Sequence, residues 1–186
     1  MRRSNRLLVV ICLLAFAIGS ISKAESEGEG QSKWGFDLEA YNIHQGGYGG
    51  LAGGFRSLNY FGHSRINWGY QVFVGSSQGI LSVSNTDHLY TGGLSLGTDG
   101  LITKNTTYEL NFVTGYGDGN VSAQSLSVRG MFISPEVGAG FLLGYGWRTT
   151  LNIGYLYFPQ GPGFSGLTIG IRIDRKTLTT ATGLDR

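Results

Sequence analysis

Few side chains in this sequence could carry out chemistry. Its imidazoles are His44, His63 and His88. Ester hydrolysis needs such a base within hydrogen-bond reach of a hydroxyl nucleophile. His63 precedes Ser64, and His88 has Ser84 and Asp87 close by, whereas the connection around His44 offers neither serine nor acid. His44 and His88 could meet at one rim, but no third residue at ligand spacing completes a metal site. The single cysteine, Cys12, lies in an apolar run expected to be removed, so the mature chain has no thiol chemistry. Glycine runs such as GGYGGLAGG precede no helix and form no phosphate cradle. These features read as loop histidines and strand punctuation. No catalytic residue, cofactor or metal is expected.

The N-terminus is a separate object. Arg2, Arg3 and Arg6 precede an apolar run from Leu7 to Ile18, and Ser22-Lys23-Ala24 places small residues at the −3 and −1 positions of a cleavage site. This is the layout of a secretory signal peptide over 1–24; the run is short of the roughly 20 residues of a spanning helix. Its removal takes four of the 14 Lys and Arg and none of the 12 Asp and Glu, turning a formal +2 into −2. No basic stripe remains, which excludes a nucleic-acid partner. Residues 25–32 (ESEGEGQS) form an acidic, flexible lead-in.

Beyond the lead-in the pattern is alternation. Val137, Ala139, Phe141, Leu143, Tyr145 and Trp147 interleave with glycines and Leu142; Leu151, Ile153, Tyr155 and Tyr157 interleave with Asn152, Gly154 and Leu156; Leu167, Ile169, Ile171 and Ile173 interleave with Thr168, Gly170, Arg172 and Asp174. A period of two residues predicts β-strands. Earlier strands are expected near 33–43, 51–60, 65–76, 87–97 and 105–116. Residues 117–134 admit either a separate strand, for nine in all, or a long link over 117–129 followed by one strand over about 131–146, with a bulge or distortion at Pro135. Spanning bacterial barrels have an even strand number, which favours the second. Inner turns then fall at 61–64, 97–100 and 146–149, and outer links at 44–50, 77–86, 117–129 and 159–164.

The bulk lies on one face of each strand and glycine on the other, with charged residues only 14% of the chain against roughly 25% in soluble domains. That combination turns the apolar face outward, toward lipid. The expected fold is all-β: an eight-stranded antiparallel up-and-down transmembrane β-barrel over 33–174, followed by a polar tail over 175–186. Its inward set includes Asp37, Glu39, Arg56, Asn67, Gln71, Glu109, Asn111, Glu136, Asn152 and Arg172, an internal polar network with four acids to two bases. Unless Arg129 also points inward, the surplus carboxylates need protons or water. Trp34, Tyr60, Trp68, Tyr90, Tyr108, Tyr116, Trp147 and Tyr157 fall near strand ends, where aromatic belts form. A soluble lipocalin-like barrel is the alternative, with its aliphatics inside.

In strand count and glycine/aromatic texture over 33–174, the chain resembles the small eight-stranded outer-membrane barrels of Gram-negative bacteria, the OmpA/OmpX type. Its closing portion is also similar to the lipid A deacylase family. That family carries a His-x-Ser-Asn motif on its penultimate strand, and the matching stretch here is Tyr155-Leu156-Tyr157-Phe158. The deacylase activity is therefore not carried over. The resemblance implies residence in the outer membrane after signal cleavage, with outer-membrane lipid and lipopolysaccharide around it and the barrel-assembly machinery as partner. The last strand, Ile171-Arg172-Ile173-Asp174, lacks the terminal aromatic residue that such barrels commonly present to that machinery. The expected role is structural or surface-interacting, non-enzymatic and not that of a wide porin. Links 77–86 and 117–129 would meet a surface partner, and the tail a periplasmic one. A lipid-modifying enzyme, deacylase-like or acyltransferase, is the second reading.

Overall fold

The computed structural model describes residues 32–43, 48–61, 65–84, 86–122 and 125–176, so the leader, the lead-in before Ser32, His44, His63 and the tail beyond Lys176 lie outside the described residues. Eight strands follow one another: β1 (Ser32–Ile43), β2 (Tyr48–Tyr60), β3 (Ile66–Ser76), β4 (Asp87–Leu101), β5 (Thr106–Val121), β6 (Leu126–Gly144), β7 (Trp147–Leu156) and β8 (Gly166–Lys176). Each pairs antiparallel with the next, and β8 pairs with β1 from Thr168 opposite Tyr41 to Lys176 opposite Lys33, closing a barrel. Closure leaves no sheet edge around the wall.

Directly opposed residues of an antiparallel pair share a face, so the register sorts every side chain. Asp37, Gly54, Phe73 and Thr91 form one inward row; Phe36, Phe55 and Val72 form one outward row. Glycine on the inward face makes room for its larger neighbours. A Cβ at Gly138 would lie 2.5 Å from Asn152 Oδ1, and one at Gly170 would lie 2.5 Å from Glu39 Cγ.

Strand lengths depart from the sequence expectation at three places. The link expected over 117–129 is mostly strand: β5 continues to Val121 and β6 starts at Leu126. This hairpin end carries Asp118, Asn120, Ser127 and Arg129 outward, so the apolar–small alternation that marks the rest of the wall is missing there. The turn signal at 97–100 lies inside β4, and the chain turns at 102–105, where Thr106 N donates to Thr103 Oγ1. The WRTT stretch opens β7; the preceding turn is Tyr145-Gly146, with φ 50° and 79°. Positive φ at both central residues is the two-residue hairpin geometry that matches strand twist.

Pro135 sits inside β6, opposite Phe112. The β6–β7 ladder is interrupted between the Ile133–Tyr157 bridge and the Glu136–Gly154 pair, then continues in the same register. Proline lacks the N–H a ladder needs, which accounts for a gap without a slip. The distortion expected at Pro135 is this gap rather than a bulge, and a separate register shift lies between Leu142 and Gly144.

Candidate functional site

The lumen is built from two unlike halves. At the end carrying Lys33 and Asp174, charged side chains from seven strands meet. Arg172 Nη2 donates to Glu109 Oε1 at 2.5 Å and its Nε to Asp174 Oδ2 at 3.2 Å. Arg148 reaches Glu109 at 2.7 Å, Asp174 at 3.1 Å and Asp99 at 3.4 Å. Lys33 Nζ lies 2.6 Å from Glu109, and Arg56 Nη2 lies 2.6 Å from Glu136. Glu109 thus accepts from three cations, and Asn111 also donates to it. Tyr60 closes the base of the knot with a 2.8 Å bond to Asp99.

All six residues singled out from the sequence for this lumen, Asp37, Glu39, Arg56, Glu109, Glu136 and Arg172, are buried inside the barrel. Sequence reasoning missed Lys33, Asp99, Arg148 and Asp174, which raise the buried set to six acids and four bases. Arg129 does not contribute: it is exposed, on the outward face opposite Asp118. The inward cations are Lys33 and Arg148 instead, which stand at strand ends that the sequence placed at an edge or in a turn.

The other half of the lumen is apolar. Tyr41, Ala52, Phe73, Leu89, Val113, Val121, Val128, Phe132 and Leu156 converge there, with Phe158 and Phe164 from the β7–β8 link. That link folds back into the mouth, where the Phe158 ring lies 6.0 Å from both Phe132 and Phe164. Phe158 N donates to Ser165 Oγ at 2.9 Å, which ties the two ends of the link together. Between the halves is a cavity of ≈ 20 Å³, lined on one side by Glu39, Gln71 and Glu136 and on the other by Phe73, Phe132 and Leu156. That is room for about one water. Gln71 Oε1 has no hydrogen-bond partner, and a water there would supply one.

Outside, aliphatics line the wall. Leu110, Leu151, Ile153, Ile169, Ile171 and Ile173 are each about half exposed. Trp34, Trp68, Tyr108 and Trp147 stand on the outward face toward the end where β1 starts and β8 finishes; Tyr90 and Tyr157 stand toward the other end. Trp34 and Trp147 meet edge-on at 5.8 Å, and the Arg175 guanidinium lies 5.9 Å from the Trp147 ring centre.

The histidine with nearby serine and acid forms no triad. His88 Nδ1 meets the backbone carbonyl of Ser84 at 3.0 Å, and its Nε2 lies 3.5 Å from Asp118 Oδ1. The Ser84 hydroxyl accepts from Asp87 N, and the Asp87 carboxylate accepts from Ser77. Among the described residues no group of three or more His, Asp or Glu could hold a metal ion.

Comparison with known proteins gives the fold. No family model and no curated protein matches the sequence. The structure is similar to that of Neisserial surface protein A, NspA, at a TM-score of 0.61 and 11% identity, over 81% of this chain and 100% of that one. It is also similar to the N-terminal β-barrel domain of Pseudomonas aeruginosa OprF, at a TM-score of 0.51 and 10% identity, over 80% of this chain and 98% of that one. The attachment invasion locus protein Ail of Yersinia pestis aligns at a TM-score of 0.48 and 14% identity, over 81% and 99%. At these identities the likeness is one of architecture: an eight-stranded closed antiparallel barrel, as found in outer-membrane proteins.

Proposed function

We propose that this chain is a small outer-membrane barrel of a Gram-negative bacterium, with a structural or surface-interaction role and no enzymatic one. The observation that carries the reading is an inverted barrel, apolar outside and ion-paired within. Along β5 the outward series runs from Tyr108 through Leu110 and Phe112 to Tyr116, broken only by Thr114, whose hydroxyl donates to Phe132 O. The eight residue steps from Tyr108 to Tyr116 in a tilted strand make a band about 20 Å tall, close to the roughly 25 Å of known spanning barrels. A soluble lipocalin-like barrel would have the opposite arrangement, since half-exposed leucines and isoleucines around an entire wall leave a large apolar patch in water. In hydrocarbon the same wall is solvated, and the closed sheet pairs its backbone amides between neighbouring strands.

The filled lumen favours a scaffold over a wide channel, because ion pairs and the Phe158–Phe164 plug occupy its two ends. The absence of the His-x-Ser-Asn motif and the backbone bond of His88 favour a non-enzymatic role. Residues 1–24 act as the export signal in this reading, the barrel-assembly machinery inserts the chain, and lipopolysaccharide surrounds its outer rim. Its surface partner would meet the end of the β5–β6 hairpin, whose outward residues turn polar above Tyr116 and Met131.

Membrane fractionation tests the assignment. The protein is expected to stay with washed membranes in alkaline carbonate and in high salt, and to migrate faster on gels before boiling than after. Release by carbonate would overturn the outer-membrane reading. Loss of acyl chains from lipopolysaccharide incubated with the purified barrel, read by mass spectrometry, would replace the scaffold with a lipid-modifying enzyme.

A further inference from the structure

Two outer links carry apolar residues, and they dispose of them in opposite directions. The β7–β8 link turns Phe158 and Phe164 into the mouth, where both are buried. The β3–β4 link does not cover the mouth. Its turn, Ile80–Ser82, folds down outside the barrel. Gly53 faces outward on β2, between Leu51 and Phe55, and a Cβ placed there would lie 3.0 Å from Ile80 Cδ1. Ile80 therefore rests on the outer wall. The next residue, Leu81, is 100% exposed.

We propose that this turn is a wedge that inserts Leu81, with Ile80 and Val83 beside it, among the acyl chains of the surrounding outer leaflet. The inference rests on the membrane reading above and deepens it by assigning the link its occupant. Three observations favour lipid. The first is level: Gly53 is opposite Val74, which is opposite Tyr90, so the turn lies beside the aromatic row at that rim and is continuous with the apolar wall, next to the exposed Leu51. The second is charge. From Ser76 to Ser84 the link has no ionisable side chain, which suits the boundary of a bilayer.

The third is rigidity. Ser76 Oγ donates to Gly79 O at 2.7 Å, Ser82 N to Gly79 O at 3.0 Å, and Ser77 N to Asp87 Oδ1 at 3.0 Å. Ser84 N donates to Asp87 O at 2.9 Å, and the His88 ring meets Ser84 O. The turn is framed at both ends, so Leu81 cannot retreat onto the protein without breaking these bonds. A fixed, fully exposed leucine beside an apolar wall is stable where its surroundings are also apolar.

The test uses single cysteines, since the only native one, Cys12, is in the leader. Leu81→Cys, Ile153→Cys and Ser127→Cys barrels carry an environment-sensitive fluorophore and are refolded into phosphatidylcholine vesicles containing nitroxide-labelled phosphatidylcholine. Ile153 marks the middle of the wall and Ser127 the polar end of the β5–β6 hairpin. The label at 81 is expected to be quenched several-fold more by shallow nitroxide lipid than the label at 127, and several-fold less by aqueous iodide. If the labels at 81 and 127 respond alike while the label at 153 is quenched by deep nitroxide, the wedge is overturned and the link is a free surface for a protein partner. If the label at 153 also responds as in water, the membrane reading falls with it. Leu81 touches nothing in the barrel, so heat-modifiable migration should be unchanged in Leu81→Cys.

Discussion

The two halves of the lumen keep water out by different physics. The end with Arg172 and Glu109 does it with a knot in which Glu109, Asp174, Arg148 and Arg172 each have several opposite neighbours; the end with Phe158 and Phe132 does it with ring and aliphatic packing. An apolar plug loses strength in proportion to the atoms removed. A buried ion knot responds sharply, because removing one member leaves desolvated charges with no compensation. The knot is also uneven. The contacts of Arg56 Nε with Asp37 and of Arg172 Nη1 with Asp37 are 3.8 Å, beyond hydrogen-bond length, whereas Lys33, Arg148 and Arg172 approach Glu109 to between 2.5 and 2.7 Å. Glu109 is its centre and Asp37 its margin.

The comparison is tested hardest at Arg172. Arg172→Met keeps the bulk but takes one buried cation from Glu109, Asp174 and Asp37 together, and should cost about 3–5 kcal/mol. The measurement is the urea midpoint of the refolded barrel, followed by heat-modifiable migration. Adding Glu109→Gln should recover part of the loss, because the double variant reduces the excess of buried carboxylates that losing Arg172 widens; a purely additive pair would mean that the two do not interact. Phe158→Ala tests the other half. A Phe-to-Ala change in a closed core costs about 3–5 kcal/mol, but this one lies at a mouth where water can fill the gap, so about 2 kcal/mol is expected. Its loss should not depend on salt or on changes elsewhere in the knot. If Phe158→Ala proves as costly as Arg172→Met, the two halves are not different in kind.

How much of this was legible follows from the pleat. In the middle of a strand, alternation alone assigns a side: Asp37 between Phe36 and Leu38, or Arg172 between Ile171 and Ile173, needs nothing but the period of two. At strand ends it fails. Arg148 and Asp99 stood in segments with turn composition, so the knot was read with two of its four cations and four of its six acids. The β5–β6 hairpin end was illegible for a related reason. Its outward residues lie above the apolar band, where Asp118 and Arg129 replace aliphatics, and its inward face mixes Gly117, Gly119 and Gly130 with Val121, Leu126 and Val128, so the bulky-against-small contrast of the wall is lost. The fold of the Pro159–Ser165 link into the mouth left no local signal. Phe158 and Phe164 could as well have faced lipid, and only the space beside Gly117 and Gly119 decides it.

Glycines on the two faces give a finer comparison. Gly170→Ala puts a methyl against the Glu39 side chain in the lumen, and overpacking should cost about 1–3 kcal/mol. Gly92 faces outward, where an added Cβ would meet only Val72 Cγ1 at 3.7 Å. Gly92→Ala should therefore be neutral or slightly stabilising in the same urea assay. Equal losses at the two positions would mean that the outer wall is as tightly packed as the interior.

The smallest effect belongs to the charges that lie outside both halves. Asp118 stands on the outward face opposite Arg129, with its side chain 41% exposed and 3.5 Å from His88. Exposed pairs of this kind are worth about 0–1 kcal/mol, and water and salt screen them. Asp118→Asn should leave the urea midpoint within that range, and raised salt should remove whatever difference remains. Asp118 offers a carboxylate, as Glu109 does, but in an open setting. A loss at Asp118 comparable with that at Arg172 would mean that the hairpin end is shielded from water in the folded barrel. The exposed polar surface offered to a partner would then have to be sought elsewhere on the rim.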